Sequence, residues 1–411
     1  MSATSTRLTA TRRFTFAASR RLARDAWPAE RNQRTYGAGQ ERQWGTGENY
    51  VAHFVFEGAP DPVTGMVVNL ATAKQVLTPV IDRYDHHFLN LDTPPFAEVP
   101  PTAERVAAQL LAESARAFAG LPVRPVACHL RESEEGGATA FASGVVEREA
   151  FREFSAARRT CSPHLSDAEN AALFGAAASA AGHGHGYRLR VVLRGESDAD
   201  TGMVVPHGDL GGALDAVHAL LDHTNLNLEV PDLAGEPMTT ESLARFVFRR
   251  LAATLPVARV TLHENSWLFA GYDGRESSLG LRRSFSAAHC LRLPELSPEE
   301  NRELFGKCSN PNGHGHRYTV EATVSGPLDE RTGVVTGLLA FQEVVEGALA
   351  PWAQRHLDFE VAEFREHPST GENILLALWP RLESAVPAPL SRLRLQETEN
   401  NRFTLRRNGG V

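Results

Sequence analysis

Residues 187–195 (YRLRVVLRG) and 318–326 (YTVEATVSG) carry apolar side chains at alternate positions. That period of two predicts strands with one buried face. A turn of the form Asp-x-x-Thr-Gly follows the first of them at Asp198. After it, residues 210–221 (LGGALDAVHALL) space their apolar positions three and four apart, which predicts an amphipathic helix. Residues 242–255 (SLARFVFRRLAATL) predict a second helix, and residues 257–265 (VARVTLHEN) a closing strand. The pattern reads strand, strand, helix, helix, strand. Two helices covering one face of an antiparallel sheet is an α+β arrangement.

The pattern recurs. Small residues follow a phenylalanine in FAASR at Phe16, FSAAR at Phe154 and FSAAH at Phe285. GTGENY at Gly45, GHGHGY at Gly182 and GHGHRY at Gly313 form a second series, and the Thr-Gly turns at Thr64, Thr201 and Thr332 a third. A fourth series ends at Glu104, Glu241 and Glu372. The last three series keep one offset of 137 residues between the first two copies and one of 131 between the next two. Chance matches do not share an offset over sixty residues, so the chain holds three homologous units, expected at 7–135, 145–272 and 281–408. A period this long makes each unit a domain rather than a solenoid repeat. Residues 133–144 and 272–280, rich in Gly and Ser and charged, read as linkers.

Composition narrows the class of function. With 42 basic and 50 acidic residues the net charge is -8, which argues against a general nucleic-acid binder and leaves open a local basic pocket for an anionic substrate. No run approaches the ~20 apolar residues of a membrane span. The basic N-terminus lacks the apolar stretch of a secretory signal. Four cysteines in 411 residues make no disulfide framework. A soluble cytoplasmic protein with no membrane partner is expected.

Candidate chemistry concentrates in the third unit. His314 and His316 lie two apart at the start of a strand, so they share a face. His289 precedes them by 25 residues and meets them across a hairpin. Three neutral imidazoles with an open fourth position suit a catalytic Zn²⁺. The second unit keeps His183 and His185 but has Arg158 in place of His289, and a guanidinium repels a cation. The first unit has Arg20, Thr46 and Glu48 at these positions. One metal site per chain is expected.

The third unit, from FSAAHCLRLPELSPEENRELFGKCSNPNGHGHRYTV to LQETENN, closely resembles the 6-pyruvoyl-tetrahydropterin synthase family, which also includes 6-carboxytetrahydropterin synthase. The resemblance extends through all three units and weakens toward the first. It implies three tandem tunnelling-fold domains, each a four-stranded antiparallel sheet with two helices, closing together as a pseudo-trimeric barrel. It implies Zn²⁺ on His289, His314 and His316, with Cys308 as the catalytic cysteine. A thiolate beside the metal and Lys307 is expected to have a lowered pKa. Ala177 stands at the cysteine's position in the second unit; Cys128, Cys161 and Cys290 match no family role.

The family's Asp-His dyad matches Asp85 and His86 in the first unit and Asp222 and His223 in the second, whereas Ala353 and Gln354 occupy these positions in the third. The resemblance therefore implies a composite site, with metal and thiol from the third unit and a dyad from a neighbouring one. The pterin-anchoring glutamate matches Glu397, with Glu264 and Glu132 aligned. Thr370 and Glu372 match a pterin-contacting turn in which Gly371 departs from the usual threonine. The implied substrate is a pterin triphosphate, 7,8-dihydroneopterin triphosphate, converted to 6-pyruvoyl-tetrahydropterin with triphosphate eliminated. The longer segment before Cys308 favours the pyruvoyl product over the carboxy one. The implied assembly is a homodimer of pseudo-trimers. Two degenerate metal sites also leave a non-catalytic pterin-binding protein as an alternative.

Overall fold

The computed structural model describes residues 6–39 and 41–407; residue 408, the expected end of the third unit, lies outside them. Twelve long antiparallel strands form the sheet. The first unit supplies β1 (Thr6–Arg20), β2 (Thr46–Glu57), β3 (Pro125–Arg131) and β4 (Gly136–Phe141). The second supplies β5 (Val146–Arg158), β6 (His183–Gly195), β7 (Val257–His263) and β8 (Leu268–Tyr272). The third supplies β9 (Ser277–His289), β10 (His314–Gly326), β11 (Leu390–Gln396) and β12 (Asn401–Arg407). Units join edge to edge through β4–β5 and β8–β9, and β12 pairs back onto β1 from Thr6↔Arg407 to Arg12↔Asn401. Closure pairs the two outermost strands and turns the sheet into a barrel.

Two helices per unit cover the outside. They are α1 (Leu70–Ile81) and α2 (Ala103–Ala117), α3 (His207–Leu221) and α4 (Thr240–Ala252), and α5 (Leu338–Leu349) and α6 (Gly371–Glu383). Alternation along each strand sorts the side chains. On β10, Tyr318, Val320, Ala322 and Val324 are fully buried beneath the helices, while Glu321 and Thr323 face the tunnel. The phenylalanine of each small-residue run stacks on the tyrosine that ends each glycine-rich motif: Phe16 on Tyr50, Phe154 on Tyr187 and Phe285 on Tyr318, with centroids 4.9, 5.0 and 5.2 Å apart. The threefold sequence repeat is thus a threefold packing repeat. No helix among the described residues is long and apolar enough to cross a membrane.

The linker readings are overturned. Residues 133–144 contain β4, and 272–280 contain the β8–β9 turn and the start of β9. Their glycines answer to close packing rather than flexibility. A Cβ on Gly137 would lie 2.3 Å from the Leu130 carbonyl oxygen, and one on Gly280 2.1 Å from the Phe269 ring. Residues 133–144 supply the fourth strand of the first unit, which the coarse reading of five elements per unit lacked.

Candidate active site

His289 ends β9 and pairs in register with His314, which begins β10. Gly313 enables the approach: its φ is 71°, a backbone state that suits glycine. The ligating nitrogens of His289, His314 and His316 lie within 4.8 Å of one another. Nε2 of His289 and Nε2 of His314 are 2.9 Å apart. Nδ1 of His314 and Nε2 of His316 are buried without a hydrogen-bond partner. Burial and the two neighbouring rings push His289 down to about 3, and burial with His316 also lowers His314. Neutral imidazoles with unsatisfied, converging lone pairs are what a divalent cation requires, so these residues fit the metal.

Behind His289 lies a support that the sequence reading missed. The Ser369 hydroxyl is 3.4 Å from His289 Nδ1 and donates to Asp358 Oδ2 at 2.9 Å. Asp358 also accepts from the backbone N–H groups of Cys290 and Ser369, each at 2.9 Å. Carboxylates reached through the second nitrogen of a ligating histidine fix its ring and tautomer. The signal was present in the offsets. Asn90 and Asn227 accept the equivalent N–H groups of Arg21 and Arg159, and only the unit with three histidines replaces the amide by a carboxylate.

Glu397 lies with its Oε1 3.9 Å from His316 Nε2. Its other oxygen accepts from Asn401 Nδ2 at 3.0 Å. Cys308, half-buried on a short 3₁₀ turn (Gly306–Ser309), packs with Leu291, Leu293 and Phe305. The expected lowering of its pKa is not seen in the protein alone. Burial, Glu397 and Cys290 push the thiol up to about 11, and Lys307 does not offset them.

The first unit completes this site. Its Thr-Gly turn inserts against the start of α6, where the Val67 N–H donates to Glu372 Oε1 at 2.9 Å. Met66 packs on the cluster that contains Cys308, and Asn69 Nδ2 donates to the Leu304 carbonyl at 2.8 Å. Burial, with a smaller contribution from Glu397, raises Glu372 to about 8. Thr370 caps α6 by accepting from the Asn373 N–H at 3.3 Å. At Gly371, a Cβ would fall 2.1 Å from the Phe403 ring, so Phe403 fills the space that a threonine would need.

The aligned sites are closed from within. In the second unit, Arg158 Nη2 lies 2.6 Å from Glu264, which is also bonded by Thr240 and lies 3.0 Å from His185 Nε2. Burial opposes ionisation of Glu264, but Arg158 and the hydrogen bonds outweigh it and hold the group at about 2. His183, His185 and Glu264 also bring ligating atoms within 4.8 Å of one another, yet Arg158 already holds the carboxylate. In the first unit Glu132 pairs with Arg20 and, at 2.6 Å, with Arg148.

The dyads are formed but stand apart from the metal ligands. His86 Nδ1 is 2.9 Å from Asp85, and His223 Nδ1 is 2.7 Å from Asp222. The aspartates accept the N–H groups of Ala17 and Ser155, each at 2.8 Å, which lowers their pKa values. Both imidazoles are 82% exposed, and neither dyad hydrogen-bonds or ion-pairs with His289, His314, His316 or Cys308. Gln354 keeps the left-handed backbone of His86 and His223, with φ of 61° against 61° and 58°. The third unit retains the turn and has lost its chemistry.

The sequence profile of the family described as 6-pyruvoyl tetrahydropterin synthase matches three segments, 9–143, 147–275 and 278–408. One stretch of 128 residues is 43% identical to 6-pyruvoyl tetrahydrobiopterin synthase of Pongo abelii, covering 31% of this chain and 88% of that protein. The human protein of that name is 41% identical over 128 residues, with the same coverage of each chain. The solved Caenorhabditis elegans 6-pyruvoyl tetrahydropterin synthase is 36% identical, over 31% of this chain and 94% of that one, with a TM-score of 0.31.

Proposed function

Because the chain belongs to the 6-pyruvoyl tetrahydropterin synthase family, in three tandem copies, we propose that it is a zinc-dependent lyase. It converts 7,8-dihydroneopterin triphosphate to 6-pyruvoyl-tetrahydropterin at one site in its third unit. The convergence of His289, His314 and His316 beside Cys308 and Glu397 carries this reading. His289, His314 and His316 would hold Zn²⁺, which when bound would supply Lewis acidity to the substrate's side-chain hydroxyls.

The protein residues do the remaining work. The Glu397 carboxylate accepts from the amino-pyrimidinone edge of the pterin, a charge-assisted contact that fixes the ring's orientation. Glu372, protonated near neutral pH, adds a donor at the same anchor without a second negative charge. Cys308 Sγ takes and returns protons at the side-chain carbons. The Asp-His pair comes from a second copy of the chain stacked on the first, since both dyads are formed and exposed here.

The test is turnover of 7,8-dihydroneopterin triphosphate with product identification, run beside metal analysis of the purified protein. One zinc per chain with the 6-pyruvoyl product supports the proposal; the 6-carboxy product assigns the other branch of the family. Zinc without turnover favours the pterin-binding alternative, for which the two closed sites are the motivating observation.

A further inference from the structure

The tunnel holds a cavity of about 900 Å³ whose walls carry ten arginines against three carboxylates. It lies on the opposite face of the strands from the histidine site. On β11 and β12, Leu393, Leu395, Phe403 and Leu405 are buried beneath the helices, while Arg392, Arg394, Arg402 and Arg406 line the cavity. Arg259 on β7 joins them.

Part of the cationic charge is balanced internally, since Arg190 pairs with Glu149 at 2.7 Å, Arg407 with Glu383 at 2.8 Å, and Arg131 with Glu134; the strands β7, β11 and β12 hold the excess. Glu321 alone serves three guanidiniums, those of Arg282 at 2.6 Å, Arg394 at 3.2 Å and Arg392 at 4.0 Å. Among the described residues, the side chains of Arg259, Arg402 and Arg406 make no hydrogen bond or ion pair. The Nε atoms of Arg392 and Arg394 are buried and unpartnered. Arg392 and Arg406 are direct partners in the β11–β12 register, and like charges directly opposite on paired strands destabilise the sheet. Burial and repulsion from neighbouring arginines lower Arg259, Arg402 and Arg406 to about 10. Three unpaired guanidiniums, with Arg392 and Arg394 sharing Glu321 with Arg282, leave positive charge on this cavity that a bound anion would balance.

We propose that the tunnel is an anion site that takes a multivalent oxyanion of the polyphosphate class, held by Arg259, Arg392, Arg402 and Arg406. Planar guanidinium forks match phosphate oxygens two at a time, whereas chloride offers no such geometry. Several arginines converging on one cavity favour a ligand with several charged groups over a single monoanion. The site is separate from the proposed catalytic centre and does not depend on its activity.

The experiment uses the full chain, stripped of metal and held in chloride buffer. Inorganic triphosphate is titrated while the thermal midpoint and heat of binding are followed, with sulfate at matched ionic strength as the comparison. The expected result is saturable binding of triphosphate with a rise in midpoint, weakening steeply with added salt. Arg402→Gln/Arg406→Gln should lose affinity at least tenfold, and its midpoint without anion should equal or exceed that of the unaltered protein. Arg259→Gln, on another strand, provides the same reading should the double variant fail to fold. His316→Ala, across the sheet, should keep the response. No binding, an equal response to sulfate, or a response that survives the arginine substitutions would overturn the proposal.

Discussion

Arg158 and Glu264 form a buried ion pair, Nη2 to Oε2 at 2.6 Å, at the positions that His289 and Glu397 hold in the third unit. Arg158 pairs with His183 in register as His289 does with His314. A guanidinium presents donors much like those of an amino-pyrimidinone, so under the proposed function Arg158 takes the place that a pterin edge would have against Glu264. Arg20 does the same for Glu132 in the first unit. An arginine at this position thus replaces a candidate metal ligand and gives the aligned glutamate an internal partner.

Reversing it should reopen the metal site. Arg158→His places a third imidazole beside His183 and His185, and zinc content should rise from one to two per chain on metal analysis. Content that stays at one would mean that the backbone around residue 158 has drifted from ligating geometry. The reciprocal His289→Arg should lower zinc content to near zero and abolish turnover.

The thiol's proposed role separates from metal binding. Cys308 shares a cluster with Met66 and Phe305 but ligates nothing in the histidine group. Cys308→Ala should retain one zinc per chain and lose ~10²–10⁴-fold in turnover, the usual range for a proton-transfer group. Loss of zinc together with activity would instead make the cysteine a ligand.

Stability should depend on pH through the buried glutamates. Glu372 is raised from 4.5 to about 8 by burial, and Glu241 to about 7. Between pH 4.5 and 8 the folded chain holds a proton at Glu372 that the unfolded chain releases. That contribution is fully present below 4.5 and is lost as pH rises through 8, at up to ~1.4 kcal/mol per pH unit for one group. Glu264, held at about 2, acts in the opposite sense and matters only in acid. Thermal unfolding of metal-free protein should show a midpoint that falls from pH 5 to 8.5, and Glu372→Gln should flatten that fall. An unchanged slope would place the proton elsewhere.

Legibility in the sequence followed periodicity. Constant offsets exposed the three units, and the His-x-His spacing with His289 exposed the convergence of three histidines, because strand alternation and hairpin pairing are local rules. The strand Gly136–Phe141 was hidden because close packing against Leu130 and Glu149 demands glycines that locally resemble a linker. Asp358 was missed because the Cys290 N–H it accepts from lies at another strand's end, and only the aligned Asn90 and Asn227 mark the position. The tunnel arginines alternate with the apolar residues of β11 and β12, as polar residues on one face of any half-buried strand do. Only closure of β12 onto β1 turns that face inward, and no local pattern encodes closure.

The position of the dyads predicts an assembly. The imidazoles of His86 and His223 are 82% exposed and, among the described residues, bond only to their own aspartates, Asp85 and Asp222, whereas the third unit has Gln354. A ring stacked on its own copy about a twofold axis sets the third unit opposite one unit of the partner ring. If that unit were another third unit, Gln354 would face the metal and no proton relay would form. An active dimer therefore pairs the third unit with the first or the second, and only one dyad serves. Sedimentation should find a particle of twice the 44.8 kDa chain mass. Of His86→Ala and His223→Ala, one should cut turnover by ~10²-fold or more while the other leaves it near that of the unaltered enzyme. Equal losses from both, or a fully active monomer, would show that the proton relay is built some other way.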